Sequence, residues 1–313
     1  MMAVAVRPLV EVEPLPTIDT TQLFRHKGEV RSPIDNFIAN TNAINVILAR
    51  ATADADPSPE LCSIVVLGYL SAVETYFRTL LSRLAHIDEL TMEALGQKLL
   101  LFSVAMKRPR ESLAEALYED SFASVKELKA RLGEIGMQKL PTEIESALDT
   151  YESICHVRHC CVHRFGYLGN KNAHDLGMPK HHHLIGGLFS ASTEDLSNIA
   201  DALQVFVKTC NNHIFKFVTD RTAKAQNDPK HTFEWGWRWS WRYKSDKKRF
   251  KPYYDLFARV VGHPASMPLK EAYHHFKDSN ASMVANMTAR YNTSLQRPKG
   301  STQPTKVKTD LTS

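Results

Sequence analysis

Apolar positions recur with a helical period through most of the first 220 residues. From Pro33 to Ala51 they fall at Ile34, Phe37, Ile38, Ile44, Ile47 and Leu48, with Ser32 placed as N-cap and Pro33 in the first helical position. Acids and prolines from Asp54 to Pro59 break the pattern. Leu61 to Ala85 is apolar on several sides, which predicts a central helix buried on more than one face. Within it Glu74 and Arg78 stand four apart, the spacing of a surface or interfacial ion pair of small energetic weight. Further helices are expected over Thr91 to Met106, ended by Pro109, and over the more polar stretch 111–137, with Gly133 and Gly136 as stops. Pro141 and Thr142 open a long helix carrying Ile144, Leu148, Ile154, Val157, Cys161 and Val162, and Gly166 and Gly169 predict its end just past His163. Residues 167–192 read as a loop holding His181, His182 and His183. Thr193 to Phe217 returns to helix through Leu196, Ile199, Leu203, Phe206, Val207 and Ile214. Four or five helices with no strand alternation predict an all-α bundle.

The period changes after a polar linker expected over Arg221 to Lys230. Phe233, Trp235, Trp237, Trp239, Trp241 and Tyr243 alternate with polar residues or glycine, so an extended strand would carry six aromatics on one face. Such a face would aggregate in water, which predicts that it packs on the following helices or on the bundle. Stacking of the tryptophans on unpaired bases is the alternative. Ser245 to Lys248 reads as a turn, and Pro252 to Val261 and Leu269 to Lys277 as two short helices. The expected organisation is an N-terminal arm over 1–32, an α-helical domain over 33–220, a basic α+β appendage over 231–290 and a disordered tail over 292–313.

With 313 residues, 43% of them hydrophobic, the chain can bury a sizeable core as one large domain or one domain with an appendage. It has no uninterrupted apolar run of about 18 residues, and acids and prolines occupy the first 18 positions where a secretory core would be apolar; a cytoplasmic protein without a membrane partner is expected. The five cysteines, Cys62, Cys155, Cys160, Cys161 and Cys210, are odd in number and unevenly spread, which suits reduced thiols. Charge is divided sharply. Residues 221–313 hold 18 Lys and Arg against 7 Asp and Glu, so from totals of 39 and 34 the first 220 hold 21 against 27. A basic tail on an acidic body points to a phosphate-bearing partner or to docking of the two halves on each other.

The candidate chemistry lies at Arg158-His159-Cys160-Cys161-Val162-His163, followed by Arg164-Phe165-Gly166. A permanently charged guanidinium neutralises a phosphodiester while a histidine that titrates near neutrality moves a proton. Arg158, four intervening residues and His163, with polar His159 directly after the arginine and a late position on a helical bundle, resemble the motif of the HEPN superfamily (higher eukaryotes and prokaryotes nucleotide-binding). The Ala-Val-Glu-Thr-Tyr-Phe-Arg run from Ala72 to Arg78 is similar to the HEPN helix that packs beside the motif helix. The likeness covers roughly residues 40–218. It implies a metal-independent endoribonuclease of toxin or antiphage type, without cofactor, with the Arg and His of two chains lining one cleft. Five residues along a helix turn about 140° and rise about 7.5 Å, so Arg158 and His163 do not share a face of a straight helix, and either a distorted end or a two-fold homodimer must bring such groups together. The resemblance assigns catalysis to Arg158 and His163, with His159 orienting the cleft or binding phosphate. RNA contacts are expected from Arg164, Arg238, Arg242, Lys244, Lys247, Lys248 and Arg249.

Three alternatives accompany this reading. HEPN proteins without cleavage activity serve as modules that bind RNA or a protein partner, with Arg158 paired to a neighbouring acid and His163 an interface histidine. The toxins held by a nucleotidyltransferase antitoxin carry His-x-Tyr; here the run is His163-Arg164-Phe165, so control by an antitoxin or another regulatory protein of that kind would need Tyr167 in place of the missing hydroxyl. Finally, the density of Cys155, His156, His159, Cys160, Cys161 and His163 suggests zinc, yet only subsets share a helix face and no second spaced pair completes a site. The cysteines read instead as small packing residues.

Overall fold

A computed structural model describes residues 9–10, 14–24, 30–96, 98, 106–107, 113–118, 122, 124–226 and 238–285. It forms two units, one ending at Arg31 and one beginning at Ser32. The first contains a 3-10 turn, Thr20–Gln22, capped by the Asp19 carboxylate, which accepts from the Thr21 amide and hydroxyl.

The second unit is mainly α-helical. Among the described residues its helices are α1 (Pro33–Ala51), α2 (Pro59–Ile87), α3 (Glu89–Leu95), α4 (Leu113–Ala116), α5 (Val125–Glu134), α6 (Thr142–Arg164), α7 (Asn170–Asp175), α8 (Met178–His181), α9 (Thr193–Ala225), α10 (Tyr243–Phe257) and α11 (Leu269–Ser279). Side-chain caps set the starts of α1, α2 and α9. Ser32, Ser58 and Ser192 each accept from an amide in the first turn, and Ser192 with Asp195 makes a reciprocal capping box. The apolar helix α2 is the centre, packed by α1, α3, α4, α6, α9 and α10. Its Val66, Tyr69, Val73, Phe77, Leu80, Leu81 and Leu84 are fully enclosed, which accounts for a helix apolar on several sides. Tyr151 of α6 stacks on Phe206 of α9 with ring centroids 4.5 Å apart, joining the two other long helices beneath it.

Several expectations are corrected. The segment 167–192 contains α7, α8 and a 3-10 turn at His182–Leu184, and Tyr167 and Leu188 form an antiparallel bridge. Among the described residues of 111–137, Gly133 lies inside α5, and Gly136, at φ +87°, marks the stop. Arg221 is not in a linker, because α9 continues to Ala225. Ser245 to Lys248 is helical, since α10 starts at Tyr243 and holds Pro252 inside it. Asp246, Phe250, Tyr253 and Phe257 are buried at helical spacing, a stronger signal than the proline. Of the aromatic stretch, Phe233, Trp235 and Trp237 lie outside the described residues, as does the tail 292–313. From Arg238 onward no strand forms among the described residues, so the α+β character of the appendage is not borne out there. Trp239 and Trp241 are nevertheless buried together, with Phe250, Tyr273 and Phe276, while Arg238 and Arg242 face out.

Buried polar groups tie the C-terminal helices to the bundle. The Trp239 indole donates to Thr222 Oγ1 at 2.9 Å and its amide to Gln226 Oε1 at 2.7 Å. Asp246 accepts from the Ser240 amide and from the Tyr273 hydroxyl at 2.6 Å, and burial beside that carboxylate pushes the Tyr273 phenol well up. Asp35, at the start of α1, accepts from the amides of Val260 and Val261. Arg221 donates to Asp88, to the Thr91 hydroxyl and to the Ile135 carbonyl, while Tyr253 donates to the other Asp88 oxygen at 2.8 Å. The Asp88 side chain is 0% exposed.

Arg221→Ala should lower unfolding free energy by about 3–5 kcal/mol, because it strands a buried carboxylate. Lys216→Ala removes an exposed partner of Asp220 and should cost no more than about 1 kcal/mol. Urea unfolding of both variants measures the difference.

Candidate functional site

The end of α6 is built by two successive residues in left-handed conformation. Phe165 has φ +52° and Gly166 φ +90°, and the amides of both return to the Cys160 carbonyl. A Cβ on Gly166 would lie 3.1 Å from Leu188 Cδ1 and 3.2 Å from Ser63 Oγ, so glycine satisfies both the angle and the close approach. The chain then pairs with itself: Leu168 donates to the Gly187 carbonyl and Gly186 to the Leu168 carbonyl, each at 2.9 Å. The excursion between these strand-like ends is α7 and α8, and it lays α7 against α6. Buried Asn172 donates to the His156 carbonyl at 3.3 Å, and Asp175 stands 3.9 Å from His156 Nδ1.

Arg158 reaches α2, where a guanidinium nitrogen donates to Glu74 Oε1 at 3.2 Å. The other Glu74 oxygen is 4.0 Å from Arg78, which itself donates to the Tyr118 carbonyl at 2.9 Å. The expected Glu74–Arg78 pair is therefore a bridge between two arginines, with the shorter contact going to Arg158. That Glu74 is the acid paired with Arg158 is what sequence reading missed; its signals were its spacing to Arg78 and its place on the helix expected beside the motif. His159 and His163 face each other one turn apart with ring centroids 4.5 Å apart. Partial burial holds His159 below the ordinary histidine pKa, and the neighbouring His163, Lys171, His156 and Arg158 lower it further. Arg158 and His159 border a cavity of about 170 Å³, with Glu152 and His156 also from α6, Ser124 and Val125 from the start of α5, and Lys171 and Asp175 from α7. His163 lies outside that cavity, next to His159. The structure thus places Arg158 and His159 together and His163 beside them on the outer face.

The other expected site residues are scattered. Arg164 is exposed and lies across Gly169, where a Cβ would come 2.5 Å from its Nε. Arg238, Arg242, Lys244, Lys247 and Lys248 are exposed on α10 and the segment before it, and none borders the cavity beside Arg158. Arg249 is half-buried, and burial brings its pKa down to about 10 against the opposing effect of Tyr253, Glu89 and Asp246.

Histidines and cysteines divide by face. Cys155, Cys160 and Cys161 are buried while His159 and His163 are exposed. All five cysteines are free, and burial pushes the Cys155 thiol up to about 12 and raises those of Cys160 and Cys161. Among the described residues no three His, Cys, Asp or Glu side chains are grouped to hold a metal ion. No protein-family model matches the chain, and neither a curated protein nor a solved structure matches it.

Two outcomes follow from these positions. An aromatic disulfide reagent at pH 8 should modify none of the five thiols in the folded protein and all of them in denaturant. In an imidazole NMR titration His159 should release its proton below pH 6.5, and His163→Ala should move that midpoint upward, because a neighbouring positive charge is removed.

Proposed function

We propose that this chain is a metal-independent endoribonuclease of the HEPN type. The observation that carries the reading is the pair of facing imidazoles, His159 and His163, beside a guanidinium braced by a carboxylate. Two imidazoles side by side allow one to take a proton while the other gives one. His159, whose pKa is lowered by partial desolvation and by its cationic neighbours, is suited to take the proton of a ribose 2′-hydroxyl. As that oxygen bonds to phosphorus and the bond from phosphorus to the 5′-oxygen breaks, His163 gives a proton to the departing oxygen. Arg158 holds the phosphate and offsets its growing charge. The products are a 2′,3′-cyclic phosphate and a 5′-hydroxyl, and DNA is not a substrate.

The active form is proposed to be a two-fold homodimer that brings the ends of two α6 helices together. Phe165 supports this. It is 73% exposed in a left-handed conformation that costs a non-glycine residue about 1–2 kcal/mol, a cost that burial of its ring does not offset in the lone chain. Val162, Tyr167, Leu184, Ile185 and Leu188 around it are also exposed. A toxin or antiphage role and a neutralising protein partner belong to the same proposal through the HEPN likeness alone. The Glu74–Arg158 contact favours a second reading, a non-catalytic module that binds RNA or a protein, because a carboxylate already neutralises the arginine.

Incubation of bulk transfer RNA with the protein in excess chelator separates the two. Cleavage should occur, leave cyclic phosphate ends, and fall about 10²–10⁴-fold in Arg158→Ala and His163→Ala, with sedimentation showing an unchanged dimer. Binding of RNA without cleavage by any of the three proteins would instead establish the non-catalytic module. Phe165→Gly should stabilise the monomer by about 1 kcal/mol in thermal unfolding while weakening self-association.

A further inference from the structure

The cavity beside α6 shares Arg158 and His159 with the chemistry proposed above, but its remaining lining has no part in those proton transfers. At about 170 Å³ it is smaller than the roughly 300 Å³ at which pockets for whole small molecules begin, so it admits a fragment such as one nucleobase. Arg158 and His159 form one edge, which places whatever enters it directly beside the phosphate that Arg158 would hold. The facing edge comes from α7, where Lys171 and Asp175 stand four residues apart and therefore on one helix face. One is a point donor and the other a two-oxygen acceptor. Asp175 makes only long contacts, 3.9 Å to His156 and 3.4 Å to exposed His174, so its oxygens keep capacity for a ligand.

Base chemistry narrows the occupant. A carboxylate is best satisfied by two adjacent N–H donors, and guanine alone among the four bases presents such a pair, at N1 and the exocyclic N2. Its O6 and N7 are acceptors suited to lysine. Resting on the ribonuclease reading, we infer that this cavity is a base-reading subsite that selects guanine next to the scissile phosphate, with Asp175 taking the N1 and N2 protons and Lys171 donating to O6 or N7. The folded α7 is what makes the subsite: it carries both readers back onto the motif helix.

Calorimetric titration of the full chain with GMP, AMP, CMP and UMP tests this without relying on cleavage. GMP should bind about tenfold or more tightly than AMP. Asp175→Asn should erase the gap between GMP and AMP, and Lys171→Met should narrow it; both positions are exposed, so the variants fold. Equal affinity for all four nucleotides, no binding of any, or a GMP preference that survives both substitutions would overturn the subsite, whether or not the protein cuts RNA. A GMP preference lost in Asp175→Asn, in a protein that cuts no RNA, would uphold the subsite and overturn the ribonuclease reading.

Discussion

The buried pair of Asp88 and Arg221 is the constraint on which the rest of the second unit depends. Asp88 ends α2 and caps α3, accepting from the Thr91 amide at 2.7 Å. Arg221 comes from the last turns of α9, and its two terminal nitrogens also donate to the Thr91 hydroxyl and to the carbonyl at the end of α5. Tyr253 of α10 completes the carboxylate. Five helices thus meet at one charge pair, and each geometry is fixed by the need to satisfy the others. A buried ion pair contributes little net stability over a well-packed apolar substitute, but a broken one is costly, so the arrangement penalises any packing in which these helices are out of register.

That penalty bears on the candidate site although the site is elsewhere. Helix α2 carries Asp88 at one end and Glu74 further back, and α9 carries Arg221 and also Phe206, on which Tyr151 of α6 stacks. The position of Glu74 relative to Arg158 is therefore set by two long helices locked at their far ends. Glu74 then acts on Arg158 as a fixed acceptor within a low-dielectric neighbourhood, where a charge-assisted hydrogen bond orients a flexible side chain better than it would in water.

The outer half of the site has a different origin. It comes from the sharp stop of α6 at Phe165 and Gly166, after which the chain must turn back, pair at Tyr167 and Leu188, and fold α7 onto the motif helix. Reversal within two residues leaves Phe165 and its apolar neighbours in water and puts His163 at the rim. Packing within one chain explains the inner residues of the motif, the cysteines among them. It does not explain the exposed ones.

Much of the bundle was written in local chemistry. The serine caps, the proline at the first position of α1, the spacing of the apolar residues in α2, α6 and α9 and the glycine stop after His163 each depend on neighbours within one or two turns, and these the sequence by itself determined. So did the presence of a guanidinium and histidines near the end of one helix, and the division of that helix into cysteines that pack and histidines that do not. Contacts between residues far apart in the chain were decided only by the tertiary structure. Glu74 meets Arg158 across 84 positions, and Arg221 meets Asp88 across 133. Arg221 looked like linker because its charge satisfied no local pattern, and Trp239 looked like strand because alternation is also what a short extended connection shows when one side faces a core. A period reports which side of an element is apolar; it carries no information about which distant polar group will satisfy a buried charge.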